Sequence, residues 1–119
     1  MGFYQYLAAI DVHAVDCSGR VDLQLGVARL KALESELATR PVLGGHRKLI
    51  IDFRNTIWES EEVHMQLSAI TRRDFGLSSS NPSLRVAFVN NRWSGAISES
   101  ECWFVSEAEA MHWLLRPSE

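Results

Sequence analysis

Two stretches of the chain place a histidine three residues after a glutamate: Glu61 with His64, and Glu109 with His112. On helices, two Glu-x-x-His pairs are what a di-iron carboxylate centre uses. That centre also needs two more carboxylates, from other helices of a four-helix bundle. At about 100° per residue, Glu61 points away from the Val63/Leu67 stripe and toward water. The ligand count is not met, so no metal and no other cofactor is expected. The glutamates read instead as partners of positive helix N-termini, and the histidines as surface residues.

The other chemistry-bearing residues are sparse. Cys17 is a nucleophile only beside a base in a cleft, and nothing in the sequence places one there. Cys17 and Cys102 lack CxxC spacing and read as small apolar fillers of strands. There is no GxSxG and no HExxH. Gly44-Gly45 is not followed by GK[ST] and precedes a strand rather than a helix, so it fails as a phosphate loop. No enzymatic activity is expected.

Two features point to binding instead. Four tryptophans stand in 119 residues. Trp103 and Trp113 fall within a strand and a helix and read as core. Trp58 and Trp93 fall in connections after strands, where binding surfaces concentrate. The second feature is Asp52-Phe-Arg-Asn-Thr-Ile-Trp-Glu-Ser60, which joins the end of a buried strand to a helix start. Ligands of open α/β sheets meet the carboxyl ends of strands. Hydroxyls at a helix start suit phosphate, so Ser60 and Thr56 are candidate phospho-acceptors as well as caps. Trp58, Glu59 and Trp93 are the candidate ligand or partner surface.

The elements that must position these residues follow from periodicity. Phe3–Ile10 and His13–Cys17 read as a strand hairpin linked at Asp11-Val12, and the turn signal Ser18-Gly19 ends the second strand. Asp22–Thr39 reads as a helix. Leu23, Val27, Leu30 and Leu37, with Leu33 beside them, make its apolar stripe, and Asp22 is its cap. Gly26 costs that helix about 1 kcal/mol relative to Ala, which close packing against a sheet would explain. Arg47–Phe53 holds Leu49, Ile50 and Ile51 in succession, the mark of a central strand covered on both faces. A second helix starts at Thr56 or Ser60, buries Val63, Leu67 and Ile70, and ends at Gly76. Leu84–Val89 reads as a strand, 92–100 as holding a short helical turn, and Cys102–Val105 as a last strand. Ser106 with Glu109 is a capping box for a terminal helix.

The predicted architecture is α/β: one domain spanning 1–119, with a mixed, mostly parallel sheet of about four to five strands. The order is β-β-α-β-α-β-β-α, with helices laid on the sheet. A hydrophobic share of 46% and a charged share of 23% suit a globular chain of this kind. The net charge of -3 disfavours nucleic acid as a partner. No apolar run approaches the roughly 20 residues of a membrane span, and the N-terminus has no signal-peptide core, so a cytoplasmic location is expected.

The layout resembles a known family. A strand pair ends at Ser18-Gly19-Arg20-Val21 and runs into an amphipathic helix. Leu49-Ile50-Ile51-Asp52-Phe53, a second helix and Arg85-Val86-Ala87-Phe88-Val89 follow. The chain closes on Trp103-Phe104-Val105-Ser106-Glu107-Ala108-Glu109-Ala110-Met111-His112-Trp113-Leu114. This is similar to the SpoIIAA-like proteins of the STAS/SEC14 type, over nearly the whole chain. The resemblance implies a bacterial α/β domain without established catalysis. STAS domains proper carry an Asp-Ser pair at the helix start after the central strand, where the Ser takes phosphate from a partner kinase. Glu59-Ser60 stands there in this chain, about one residue closer to Asp52. The expected function is a non-catalytic regulatory or protein-interaction module, docking a protein partner or a second copy of itself. The alternative is a binding protein for a small apolar, lipid-like ligand.

Overall fold

Val12, Leu49, Val86, Ala87 and Val89 have no exposed surface, and they lie on three neighbouring strands. Around them a computed structural model describes residues 3–39, 47–75, 84–92, 94–96 and 101–116. Pro41, His46, Gly76 and Trp93 lie outside the described residues.

The strands and helices alternate. β1 (Tyr4–Leu7), β2 (Val12–Asp16) and β3 (Gly19–Val21) precede α1 (Leu23–Thr39). β4 (Arg47–Asp52) and β5 (Thr56–Trp58) precede α2 (Glu61–Phe75). β6 (Leu84–Val89), β7 (Gly95–Ala96) and β8 (Glu101–Phe104) precede α3 (Glu107–Leu114). Six strands form one mixed sheet in the order β1-β2-β4-β6-β8-β7. β2–β4, β4–β6 and β6–β8 pair in parallel, whereas β1–β2 and β7–β8 are antiparallel. The apolar run of β4 lies between β2 and β6, as a strand buried on both faces must.

Alternation along these strands builds two cores. On one face Val15, Leu49, Ile51, Val86 and Phe88 meet Leu33 and Leu37 of α1. On the other, Val12, Ile50, Ala87 and Val89 meet Ala110 and Leu114 of α3. A third cluster joins Val21 of β3 to Val63 and Leu67 of α2. No helix among the described residues is long and apolar enough to cross a membrane.

Several local readings change. The strand number rises from the expected four or five, because β3, β5 and β7 are too short to carry a periodic signal. β3 and β5 form a separate parallel pair. Thr56 is not a helix cap: it opens β5, and its hydroxyl donates to the Cys17 carbonyl at 2.7 Å. Ser60 is the cap instead, accepting from the Val63 N–H at 3.2 Å. Within 92–100, the expected helical turn gives way at Gly95–Ala96 to β7, paired with β8. On α1 the buried line is Gly26, Leu33 and Leu37, and Leu23 is exposed. Gly26 faces α2 rather than the sheet: a Cβ there would stand 2.4 Å from Leu67 Cδ1.

The caps at the other two helices form as read. The Leu25 N–H donates to Asp22 Oδ1 at 2.7 Å, and the Ser106 side chain accepts from the Glu109 N–H. The hairpin turns at Asp11, whose φ of 53° is left-handed, a conformation Asp tolerates better than most residues. Its carboxylate accepts from the Tyr6 hydroxyl, which holds the turn.

Candidate functional site

The parallel registers align one row of side chains across the sheet: Val15 on β2, Ile51 on β4, Phe88 on β6 and Trp103 on β8. All four line a cavity on the α1 side, one step from the carboxyl ends of the parallel strands. Gly26, Arg29, Leu30 and Leu33 of α1 and Leu67 of α2 form its opposite wall. Phe3, Cys17, Val21, Phe53 and Trp58 complete the lining. The enclosed space is about 80 Å³, inside a concave region of about 800 Å³ that includes its open mouth. Sites for drug-sized ligands run to about 300–1,000 Å³. The enclosed part therefore holds a small group, and a larger body must lie in the mouth.

Backbone bonding places Cys17 and Phe53 beyond the strand ends. The Cys17 N–H donates to the Asp52 carbonyl at 3.0 Å, and the Phe53 N–H to the Val89 carbonyl at 2.8 Å. These bonds extend the ladder by one residue and fix both side chains by the cavity. Four aromatic rings then form a connected set. Phe53 stands 5.6 Å from Trp58, 6.3 Å from Phe88 and 6.0 Å from Trp103, and Phe88 stands 4.8 Å from Trp103. Trp58 is also stacked on His64, at 4.5 Å between centroids.

The polar groups of the lining are few. Burial pushes the Cys17 thiol up to about 12, against a smaller opposing pull from Arg29. At neutral pH it is a neutral thiol and so a poor nucleophile. Arg29 carries the charge of the cavity wall. Its Nη1 is buried and has no hydrogen-bond partner among the described residues, and its guanidinium lies 5.6 Å from the Phe3 ring centroid.

A second concavity is rimmed by Asp16, Asp52 and Glu107. Its carboxylates are already engaged. Asp16 accepts from the N–H and hydroxyl of Ser18. Asp52 is clamped by Arg54, whose Nη2 also reaches Glu107 at 3.2 Å. Burial works to raise the Asp52 carboxyl, but hydrogen bonds from the Arg54 side chain and backbone outweigh it and hold it below the usual range. No group of His, Cys, Asp and Glu among the described residues is arranged to hold a metal ion.

Of the residues singled out from sequence, Trp58 lines the cavity. Glu59 and Ser60 are exposed, and the Glu59 N–H donates to the Val21 carbonyl at 3.0 Å. Thr56 is half-buried and its hydroxyl is engaged. Glu61 with His64 on α2 and Glu109 with His112 on α3 cannot share an ion, because α2 joins the α1 side of the sheet and α3 covers the other. Trp103, read as core, is half-buried and part of the cavity floor.

Sequence reasoning missed Arg29 and took Cys17 as a filler. A signal for Arg29 existed. It stands three residues after Gly26 and four before Leu33, so a cation sits on the buried stripe of an otherwise amphipathic helix. No protein-family model, no curated protein and no solved structure matches the chain.

Proposed function

We propose that this chain is a non-catalytic binding module of the STAS/SEC14 kind that takes a small apolar ligand in the cavity between the sheet and the α1–α2 pair. The observation that carries the reading is the lining itself: an apolar, aromatic hollow with one charged residue, at the carboxyl ends of parallel strands. Open α/β sheets bind ligands at that end, and sites of this make-up are the usual hosts of small molecules. The alternation of strands and helices along the chain supports it, as does the neutral state of Cys17. The test is an NMR titration of the ¹⁵N-labelled protein with ethylbenzene, a compact apolar probe. Saturable shifts are expected at the amides of Cys17, Ile51, Phe88 and Trp103. They should vanish in Cys17→Leu, whose larger side chain fills the hollow. Shifts that do not saturate, or that fall elsewhere, would refute the reading.

A second reading, docking to a protein partner or a second copy, rests on a different observation. The elements flanking Ser60 carry the two most exposed large apolar side chains among the described residues, Ile57 at 62% and Met65 at 67%. On this reading a phosphate on Ser60 would set a negative charge between them and weaken docking. Light scattering checks the self-association branch: a dimer that Ile57→Glu and Met65→Glu convert to monomer supports it, and a wild-type monomer at high concentration removes it.

A further inference from the structure

We infer that the ligand of this cavity is a small aromatic monocarboxylate, held by Arg29; the inference rests on the cavity being a binding site. Arg29 lines the hollow, and its Nη1 is buried without a hydrogen-bond partner among the described residues. A buried cationic donor left unsatisfied is unfavourable, and an acceptor with the opposite charge relieves it best. The acids that end β2 and β4 have other partners. Asp16 is engaged by Ser18, and Asp52 by Arg54. The guanidinium fork matches a carboxylate in shape as well as charge.

The other walls choose the rest of the molecule. Phe53, Trp58, Phe88 and Trp103 offer ring faces and edges to a ring, which aromatic pairs favour over simple contact. The enclosed space of about 80 Å³ is roughly half that of a cavity that takes benzene, so the ring of such a ligand also occupies the mouth. One positive charge among apolar walls suits one negative charge. A phosphate dianion would keep a second, unpaired charge against those walls.

The experiment compares three single-ring probes on the wild-type protein, the isosteric phenylacetate and phenylacetamide and the smaller ethylbenzene, followed at the cavity amides by NMR at pH 7. Phenylacetate is expected to bind at least about tenfold tighter than phenylacetamide, the margin of a charge-assisted hydrogen bond. In Arg29→Met the preference for the acid over the amide should be lost. Equal binding of acid and amide by the wild-type protein overturns the inference, as does an acid preference that survives Arg29→Met. Displacement of phenylacetate by an equal concentration of inorganic phosphate also overturns it. If Arg29→Met does not fold, the wild-type acid-to-amide ratio decides alone. Ethylbenzene and amide binding without acid preference defeats the carboxylate and leaves the cavity reading standing. No saturable shift with any of the three defeats both.

Discussion

The two faces of the six-stranded sheet meet their helices in different ways. Under α3 the contact is closed: Val12, Ala87, Val89, Ala110 and Leu114 are all without exposed surface. Small residues dominate there, and Ala87 and Ala110 let the helix approach the strands. Under α1 and α2 the side chains are larger, yet the fit is poorer. Rings from β6, β8 and the segment after β4 stand against a helix that presents Gly26 and Arg29. Large, rigid side chains cannot tile a surface against a cation, so a hollow remains, although Leu67 of α2 fills the space over Gly26. Close packing is the default of protein interiors, and a face that departs from it is where a binding role is to be sought. One face is closely packed, while the other leaves a hollow.

The largest test of this contrast removes bulk from the closed face. Leu114→Ala should cost about 2–5 kcal/mol, seen as a lower denaturant midpoint with an unchanged slope. A smaller loss would mean that α3 slides to refill the gap. The next test adds bulk to each face in turn. Ala87→Leu should destabilise by about 1–3 kcal/mol, since no space receives the added carbons. Cys17→Leu should change stability by no more than about 1 kcal/mol, because the hollow accepts them. Equal costs at the two positions would show that the faces do not differ in packing.

Titration sharpens the same comparison. Cys17 keeps its proton in the folded state to about pH 12, but loses it near 9 in the unfolded chain. Between these values the folded state holds the extra proton, so stability falls as pH rises. The contribution is on the order of 1 kcal/mol per pH unit, and Cys17→Ala should flatten the alkaline limb by that amount. The smallest effect belongs to Asp52, which Arg54 ties toward α3 through Glu107. Its lowered carboxyl stabilises the fold above about pH 4, and this support is lost as pH falls through the folded value. Asp52→Asn should therefore soften the acid limb of a stability-versus-pH curve. An unchanged acid limb would show that solvent screens the pair.

Local chemistry was the legible part of this chain. The unbroken apolar run at Leu49–Ile51 placed a strand mid-sheet, and Asp22 and Ser106 announced their helices through hydroxyl or carboxylate caps. What could not be read locally was pairing at a distance. Thr56 looks like a cap because Glu59 follows it at the right interval. Its hydroxyl is taken by Cys17, 39 residues earlier in the chain, and β3 draws the segment into a strand. Trp58 was singled out from its place after a strand, and it borders the hollow. Arg29 was masked by the habit of assigning helical cations to water, and the hollow itself has no period to detect. It exists only where two helices and strands of both sheets fail to fill one volume.

The β3–β5 ribbon carries one more implication. Each of its strands is three residues long, and a two-stranded ribbon has little standing by itself in water. Val21 and Trp58, its last paired residues, both border the hollow. Its persistence thus depends on what lies underneath. A molecule seated there would act as a keystone, and amide exchange along Gly19–Val21 and Thr56–Trp58 would slow in step with occupancy while the central strands, already protected, would hardly respond.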